Sequence, residues 1–223
     1  MVTEICAQAI DWVAIDLEHG ADAELLGLVQ AADCGGAFSV VRVPALGSSA
    51  VGRALDAGAD GVMFPWIDTA EQAKAAVAQT RFGPEGQRGF SPIARAYGYS
   101  RNVAAGLSEP PLVIAQIESA AAVDAAASIA AIEGIDVLFV GPGDLGRDLS
   151  RVSSDVPTLL EKAIDGVIAG ANAAGKVAGL LVEDVASART WISRGAAFVA
   201  IGGDIGYVIA ATDGIGSLAK RRA

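Results

Sequence analysis

The chain has 223 residues and a mass of 22.4 kDa, with 16 basic against 26 acidic residues and a net charge of −10. This length accommodates one large domain with a substantial core, without a disulfide or metal to compensate for small size. The acidic balance argues against a nucleic-acid or anionic-membrane partner, whose phosphates require a basic face. Glu118, Asp124, Glu133 and Asp136 break the apolar runs before any reaches the ~18 residues of a membrane span, although mean hydropathy is +0.45.

The N-terminus carries Glu4 where a secretory signal would carry positive charge, and Cys6 and Cys34 form no CxxC pair. The chain therefore reads as cytoplasmic, with reduced cysteines. Apolar runs bounded by turn residues predict strands at Trp12–Leu17, Ser39–Pro44, Gly61–Pro65, Leu112–Ile117, Asp136–Val140, Lys176–Val182 and Ala197–Ile201. Between them, Thr69-Ala-Glu-Gln72 is a capping-box pattern, Ser119 is a helix N-cap, and Asp155 precedes Pro157 at the start of a helix running to Ala173. Gly35, Gly58, Gly134, Gly175 and Gly195 are expected to end helices in the left-handed conformation.

Alternating strands and helices with continuously apolar strands imply a parallel sheet covered by helices. No GxGxxG or P-loop follows the first strand, which weighs against a nucleotide-binding open sheet. The expectation is an α/β fold, a (β/α)8 TIM barrel in a single domain over residues 1–223, with seven of its eight strands visible. One connection is long: residues 81–107 carry Arg81, Arg88, Arg95 and Arg101 with Phe90, Tyr97 and Tyr99. That basic patch reads equally as a surface ion-pair network, as subunit packing or as a substrate contact.

Charged residues are costly in buried strands, so their clustering at strand C-terminal ends is informative. Asp16, Glu18 and His19 end the first strand, Arg42 the second, Gln116 and Glu118 the fourth, and Asp144 follows the fifth in the loop Gly141-Pro-Gly-Asp144. In a barrel these residues converge on one mouth, where active sites form. Glu118 and Asp144 suit a hard octahedral cation such as Mg2+ or Mn2+, with helix capping as the other reading. Zinc is disfavoured because one His and two distant Cys cannot close a site.

His19, the one histidine, is placed to move a proton near neutral pH. Arg42 either neutralises Asp16 or Glu18 or directs itself at a keto-acid oxygen. Asp56 reads as a helix-terminal surface acid. Lys74 and Lys162 fall on helices, Lys176 starts a strand at the opposite face and Lys220 lies in the tail, so Schiff-base chemistry is unsupported. Metal-assisted chemistry on a small keto acid remains.

These residues together resemble the HpcH/HpaI family of class II, metal-dependent pyruvate aldolases. The resemblance rests on Asp-Trp-Val-Ala-Ile-Asp16-Leu-Glu18-His19, Val-Val-Arg42-Val-Pro, Leu-Asp56-Ala-Gly, Arg-Phe-Gly-Pro-Glu-Gly-Gln-Arg88-Gly, Gln116-Ile-Glu118, Val-Gly-Pro-Gly-Asp144-Leu and Val-Ala-Ile-Gly-Gly-Asp204. It implies that Glu118 and Asp144 ligate a divalent cation (Mg2+, Mn2+ or Co2+). It further implies that Arg42 and Gln116 contact the pyruvyl group, and that the amides around Gly143 and Asp144 hold its carboxylate. His19, paired with Asp56, would assist proton transfer.

The implied reaction is reversible cleavage of 4-hydroxy-2-oxo acids to pyruvate and an aldehyde through a metal-stabilised pyruvate enolate. The family pattern also implies a homo-oligomer, a trimer or hexamer with exchanged C-terminal helices. It begins one strand and one helix before Val2, so this chain is expected to lack the barrel's N-terminal first strand and the helix before it. The alternatives are a CoA-ester lyase or citrate-synthase-like condensing enzyme of the same superfamily, or a truncated, inactive paralogue.

Overall fold

A computed structural model describes residues 1–20 and 24–219; Lys220 lies outside the described residues. In chain order the elements are α1 (Val2–Ala7), β1 (Trp12–Asp16), α2 (Leu25–Gly35), β2 (Phe38–Arg42), α3 (Ala50–Ala57), β3 (Gly61–Phe64) and α4 (Ala70–Thr80). There follow a 3-10 turn at Arg95–Tyr97, α5 (Val103–Ser108), β4 (Leu112–Ile117), α6 (Ala120–Ala130), β5 (Val137–Val140) and α7 (Pro142–Leu149). The last elements are α8 (Val156–Ala173), β6 (Val177–Val182), α9 (Val185–Ser193), β7 (Phe198–Ile201) and α10 (Asp204–Ala219).

The seven strands pair in parallel in the order β1 to β7 and curl into a nearly closed barrel. Side chains alternate across this sheet, because successive residues of a strand point to opposite faces. One set, including Val41, Val62, Val113, Ala115, Leu138, Val140 and Leu180, packs under the helices as the main core. The other set, Val40, Met63, Ile114, Val137 and Phe139, fills the barrel interior with Trp12, Phe198 and Ala200. Trp12 of β1 stacks on Phe198 of β7 with centroids 4.0 Å apart, so the two edge strands approach each other at their N-terminal ends. Phe139 meets both rings edge-on.

Helix punctuation follows local chemistry. Thr69 and Gln72 form the reciprocal capping box, and Ser119, Asp155 and Asp184 each accept a backbone N–H in the first turn of α6, α8 and α9. Gly58, Gly134, Gly175 and Gly195 have positive φ as expected, but at the end of α2 the left-handed residue is Gly36, not Gly35. Gly35 is still helical and lies against Ala7 so closely that a Cβ would collide with it.

The long connection is internally tied. Arg88 packs between the rings of Phe82 and Tyr97, with its guanidinium carbon 4.6 and 5.9 Å from their centroids, and bonds Asp56; Arg95 bonds Asp33 and the carbonyl of Ala57. Two of its four arginines thus spend their charge fastening the loop to α2 and α3, which favours the ion-pair-network reading. No helix among the described residues is long and apolar enough to cross a membrane.

Candidate active site

Parallel register sets Asp16 and Arg42 side by side at the last paired position of β1 and β2. Arg42 donates from Nε to Asp16 Oδ1 at 2.9 Å and from Nη2 to Asp16 Oδ2 at 2.6 Å, while its Nη1 lies 3.0 Å from Glu18 Oε2. Burial disfavours the charged form of Asp16, but the bonds and charge of Arg42 and the backbone N–H groups of Glu18 and His19 hold its carboxyl below the usual range. The same ion pairs raise Arg42 against its own burial.

Glu118 follows β4 and is 1% exposed. Its Oε1 accepts from Gln116 Nε2 at 2.6 Å and its Oε2 from the backbone N–H of Trp66 at 3.1 Å. Burial, reinforced by the charges of Glu18 and Asp144, pushes this carboxyl up to about 7 against the Trp66 N–H and the charge of Arg42. Glu18 is ion-paired with Arg42, and Gly141, three residues before Asp144, lies against Glu118 and Gln116, so these residues line one mouth.

Two features of this wall carry no sequence signal of their own. Trp66 has φ 55, a left-handed conformation that costs a bulky residue on the order of 1–3 kcal/mol and that presents its N–H to Glu118. At Gly141, a Cβ would stand 2.6 Å from Glu118 Oε1 and 3.1 Å from Gln116 Nε2, so the buried pair needs a bare backbone there. The segment 141–144, expected as a loop, is helical from Pro142 onward. Gly143 and Asp144 therefore lie in the first turn of α7, whose amides have no acceptor within the helix and suit an anionic group.

The donor set fits a divalent cation. No group of three or more potential ligands occurs among the described residues, and two carboxylates with open positions match how Mg2+ and Mn2+ are held, with waters and substrate oxygens completing the shell. Glu118 is buried with neutral donors and no cation bonded to it, and Gln116 Oε1 is buried without a partner among the described residues. A cation here would answer the buried carboxylate's charge.

His19 is exposed just beyond the end of β1, and its backbone N–H donates to Asp16 Oδ1 at 3.3 Å. Asp56 is not beside it. Because α3 runs antiparallel to the strands, Asp56 in its last turn lies toward their N-terminal ends, where Arg88 Nη2 donates to its Oδ1 at 3.0 Å. It faces an open groove of about 750 Å³ between α2, α3 and the long connection, lined also by Arg53, Arg95 and Tyr99. The structure thus brings together Arg42, Gln116, Glu118 and Asp144, with His19 at the rim, and leaves Asp56 at the other end of the chain's own barrel.

Comparison with known proteins gives a consistent family. The model described as HpcH/HpaI aldolase/citrate lyase matches residues 1–211. A protein named 5-keto-4-deoxy-D-glucarate aldolase from Klebsiella pneumoniae subsp. pneumoniae is 36% identical over 224 residues, covering 98% of this chain and 88% of that one. A solved HpcH/HpaI aldolase/citrate lyase family protein from Burkholderia cenocepacia J2315 superposes with a TM-score of 0.88 at 34% identity, covering 99% of this chain and 90% of its own. The citrate synthase SbnG superposes with a TM-score of 0.84 at 27% identity, covering 100% and 89%.

Proposed function

This chain belongs to the HpcH/HpaI aldolase/citrate lyase family, and we propose that its mouth cleaves 4-hydroxy-2-oxo acids of the sugar-acid type to pyruvate and an aldehyde. It is a carbon–carbon lyase of the aldolase class, and aldolases of this family depend on a divalent metal. Glu118 and Asp144 hold that cation, with Mg2+, Mn2+ and Co2+ as the candidates. When bound, it supplies Lewis-acid polarisation of the keto and carboxylate oxygens of the substrate.

The chain's own groups do the rest. The N–H donors of Arg42 that Asp16 leaves unused face developing negative charge on the keto oxygen, and Gln116 orients the pyruvyl group from the barrel interior. The free amides of Gly143 and Asp144 receive its carboxylate. His19, at the rim, helps carry the proton between the 4-hydroxyl and the pyruvyl methyl carbon, so C3–C4 cleavage leaves the hydroxyl carbon as an aldehyde. The pairing of Asp56 with a histidine that the resemblance implies would require the histidine of another copy of the chain, since within one chain the two lie at opposite ends.

A homo-oligomer with exchanged C-terminal helices is supported by α10, on which Ile205, Tyr207, Val208, Ile209 and Ile215 are exposed. Cys6 and Cys34 are free, in keeping with a reducing, cytoplasmic setting for a single barrel domain spanning 1–223.

The observation that carries this reading is a buried Glu118, bonded among the described residues only by the neutral donors of Trp66 and Gln116, sharing one mouth with a guanidinium already oriented by two carboxylates. A CoA-dependent lyase is less well supported, because Arg88 and Arg95 of the long connection are committed to Asp56 and Asp33. The test is pyruvate release from 5-keto-4-deoxy-D-glucarate, abolished by chelator and restored by Mg2+, Mn2+ or Co2+. Turnover that requires a CoA thioester, or that survives chelation, overturns it.

A further inference from the structure

We propose that Asp16 is a positioning residue that aims Arg42 at the keto-acid oxygens and, through the same carboxylate, sets the turn carrying Glu18 and His19. The inference rests on the aldolase reading for what Arg42 touches, and the geometry below supplies the remainder. Asp16 grips Arg42 by two parallel bonds, Nε to Oδ1 at 2.9 Å and Nη2 to Oδ2 at 2.6 Å. This side-on fork fixes the plane of a guanidinium that a single contact would leave free to rotate.

Oδ1 also accepts the backbone N–H of Glu18 at 3.0 Å and of His19 at 3.3 Å. The chain folds back tightly enough that a Cβ at Gly20 would collide with the carbonyl oxygen of Asp16. Glu18 then closes the circuit on Arg42 Nη1 at 3.0 Å. Displacing one carboxylate therefore moves the arginine and the histidine-bearing turn together.

Two of the five guanidinium N–H groups donate to Asp16 and Nη1 is ion-paired with Glu18, so N–H groups on the terminal nitrogens remain for substrate. Asp16 has both oxygens committed and its charge answered by Arg42, so it is not available as a cation ligand. In this it differs from Glu118, to which no cation is bonded.

Three variants separate the roles. Asp16→Asn keeps an oxygen for Nε and the two backbone N–H groups but turns the Nη2 acceptor into a donor. Asp16→Glu keeps the carboxylate for Arg42 but, one methylene longer, cannot hold the tight turn. Arg42→Ala is the reference.

The readouts on the Mn2+-loaded, full-length protein are oxalate affinity, as a planar mimic of the pyruvate enolate, deuterium exchange at the pyruvate methyl, and Mn2+ affinity. Asp16→Asn is expected to weaken oxalate and slow exchange by about ten- to a hundredfold, the scale of a misplaced catalytic group, with Mn2+ affinity near wild type and the melting temperature lowered by only a few degrees. Asp16→Glu is expected to recover oxalate affinity while exchange stays slow; recovery of both removes the turn from the proposal.

Wild-type oxalate affinity and exchange in Asp16→Asn overturn the inference, as does Mn2+ affinity falling in step with oxalate, which makes Asp16 a metal-site acid. If Arg42→Ala itself leaves oxalate binding intact, the premise about Arg42 fails. If Arg42→Ala weakens oxalate and Asp16→Asn does not, only the positioning role fails.

Discussion

The two walls of the mouth hold their carboxylates in opposite ways. On β1 and β2, Asp16 and Glu18 share the guanidinium of Arg42, and Asp16 is held below the ordinary carboxylate range. On β4, Glu118 is more deeply buried, receives only neutral N–H groups and is pushed up to about 7. Burial raises both carboxyls: at Asp16 the summed bonds and charge of Arg42 outweigh it, whereas at Glu118 it prevails. The first wall is complete without a ligand and offers donors to a keto acid, whereas the second lacks one positive charge and offers itself to a cation.

The contrast has opposite consequences for stability. Asp16, with a lowered folded pKa, contributes stability that is present above its unfolded value and is lost as pH falls through the folded one. Glu118, raised from 4.5 to about 7, contributes stability that is full below 4.5 and is lost as pH rises to about 7. That difference amounts to roughly 3 kcal/mol, at 1.36 kcal/mol per unit.

The largest expected effect breaks the second wall. Glu118→Gln removes the buried charge at nearly constant volume, and with the Gln116 amide flipped the new side-chain NH2 can donate to Gln116 Oε1. Metal-dependent turnover should fall by at least about a thousandfold, since one of only two proposed protein ligands is lost. The metal-free protein at pH 8 should nevertheless melt higher, by about 5 °C or more for a relief of this size in a chain of this length. An active variant, or one that melts lower in chelator, contradicts the contrast between the walls.

Proton competition sharpens the same contrast without a mutation. Below about 7 a cation must displace the proton of Glu118, so Mn2+ affinity should weaken about tenfold per pH unit and level off above about 8. Titration calorimetry across pH 5.5–8.5 reads this directly. Affinity that is flat across that range removes Glu118 from the ligand set.

Much of this arrangement was legible before any coordinates. The seven strands fall within one or two residues of their predicted spans, because apolar runs between turn residues are a strong signal for buried parallel strands. Arg42, Gln116, Glu118 and Asp144 were readable as a cluster, since charge at the end of a buried strand needs a functional or pairing reason.

What escaped depends on register and backbone angle. The pairing of Arg42 with Asp16 and Glu18 is one of the two readings the sequence offers, but nothing in the letters shows that Trp66 turns left-handed to donate to Glu118, or that Gly141 is bare because a carboxylate passes over it. Gly-Pro-Gly is turn-like locally and predicts a loop at Pro142, while proline is equally at home in a helix's first turn, which is what forms there. Family resemblance pairs Asp56 with His19, whereas α3's direction carries Asp56 to the far end of its own barrel.

That displacement makes Asp56 the subtlest probe of the comparison, because its ion pair resembles the first wall in form but not in function. Arg88 is 7% exposed and Asp56 38%, so the bond between them is partly screened by solvent. The buried guanidinium also keeps the rings of Phe82 and Tyr97 when the acid is neutralised. Asp56→Asn should therefore cost only about 1 kcal/mol, a melting shift of roughly 2–4 °C, and leave Mn2+ affinity unchanged. A fall in kcat well beyond that loss, at saturating metal, would require the carboxylate to act at a mouth, and that mouth would have to belong to another copy of the chain because its own lies at the opposite end of the barrel. Activity unchanged in Asp56→Asn would confine the residue to anchoring the long connection and leave His19 to move its proton without a carboxylate partner.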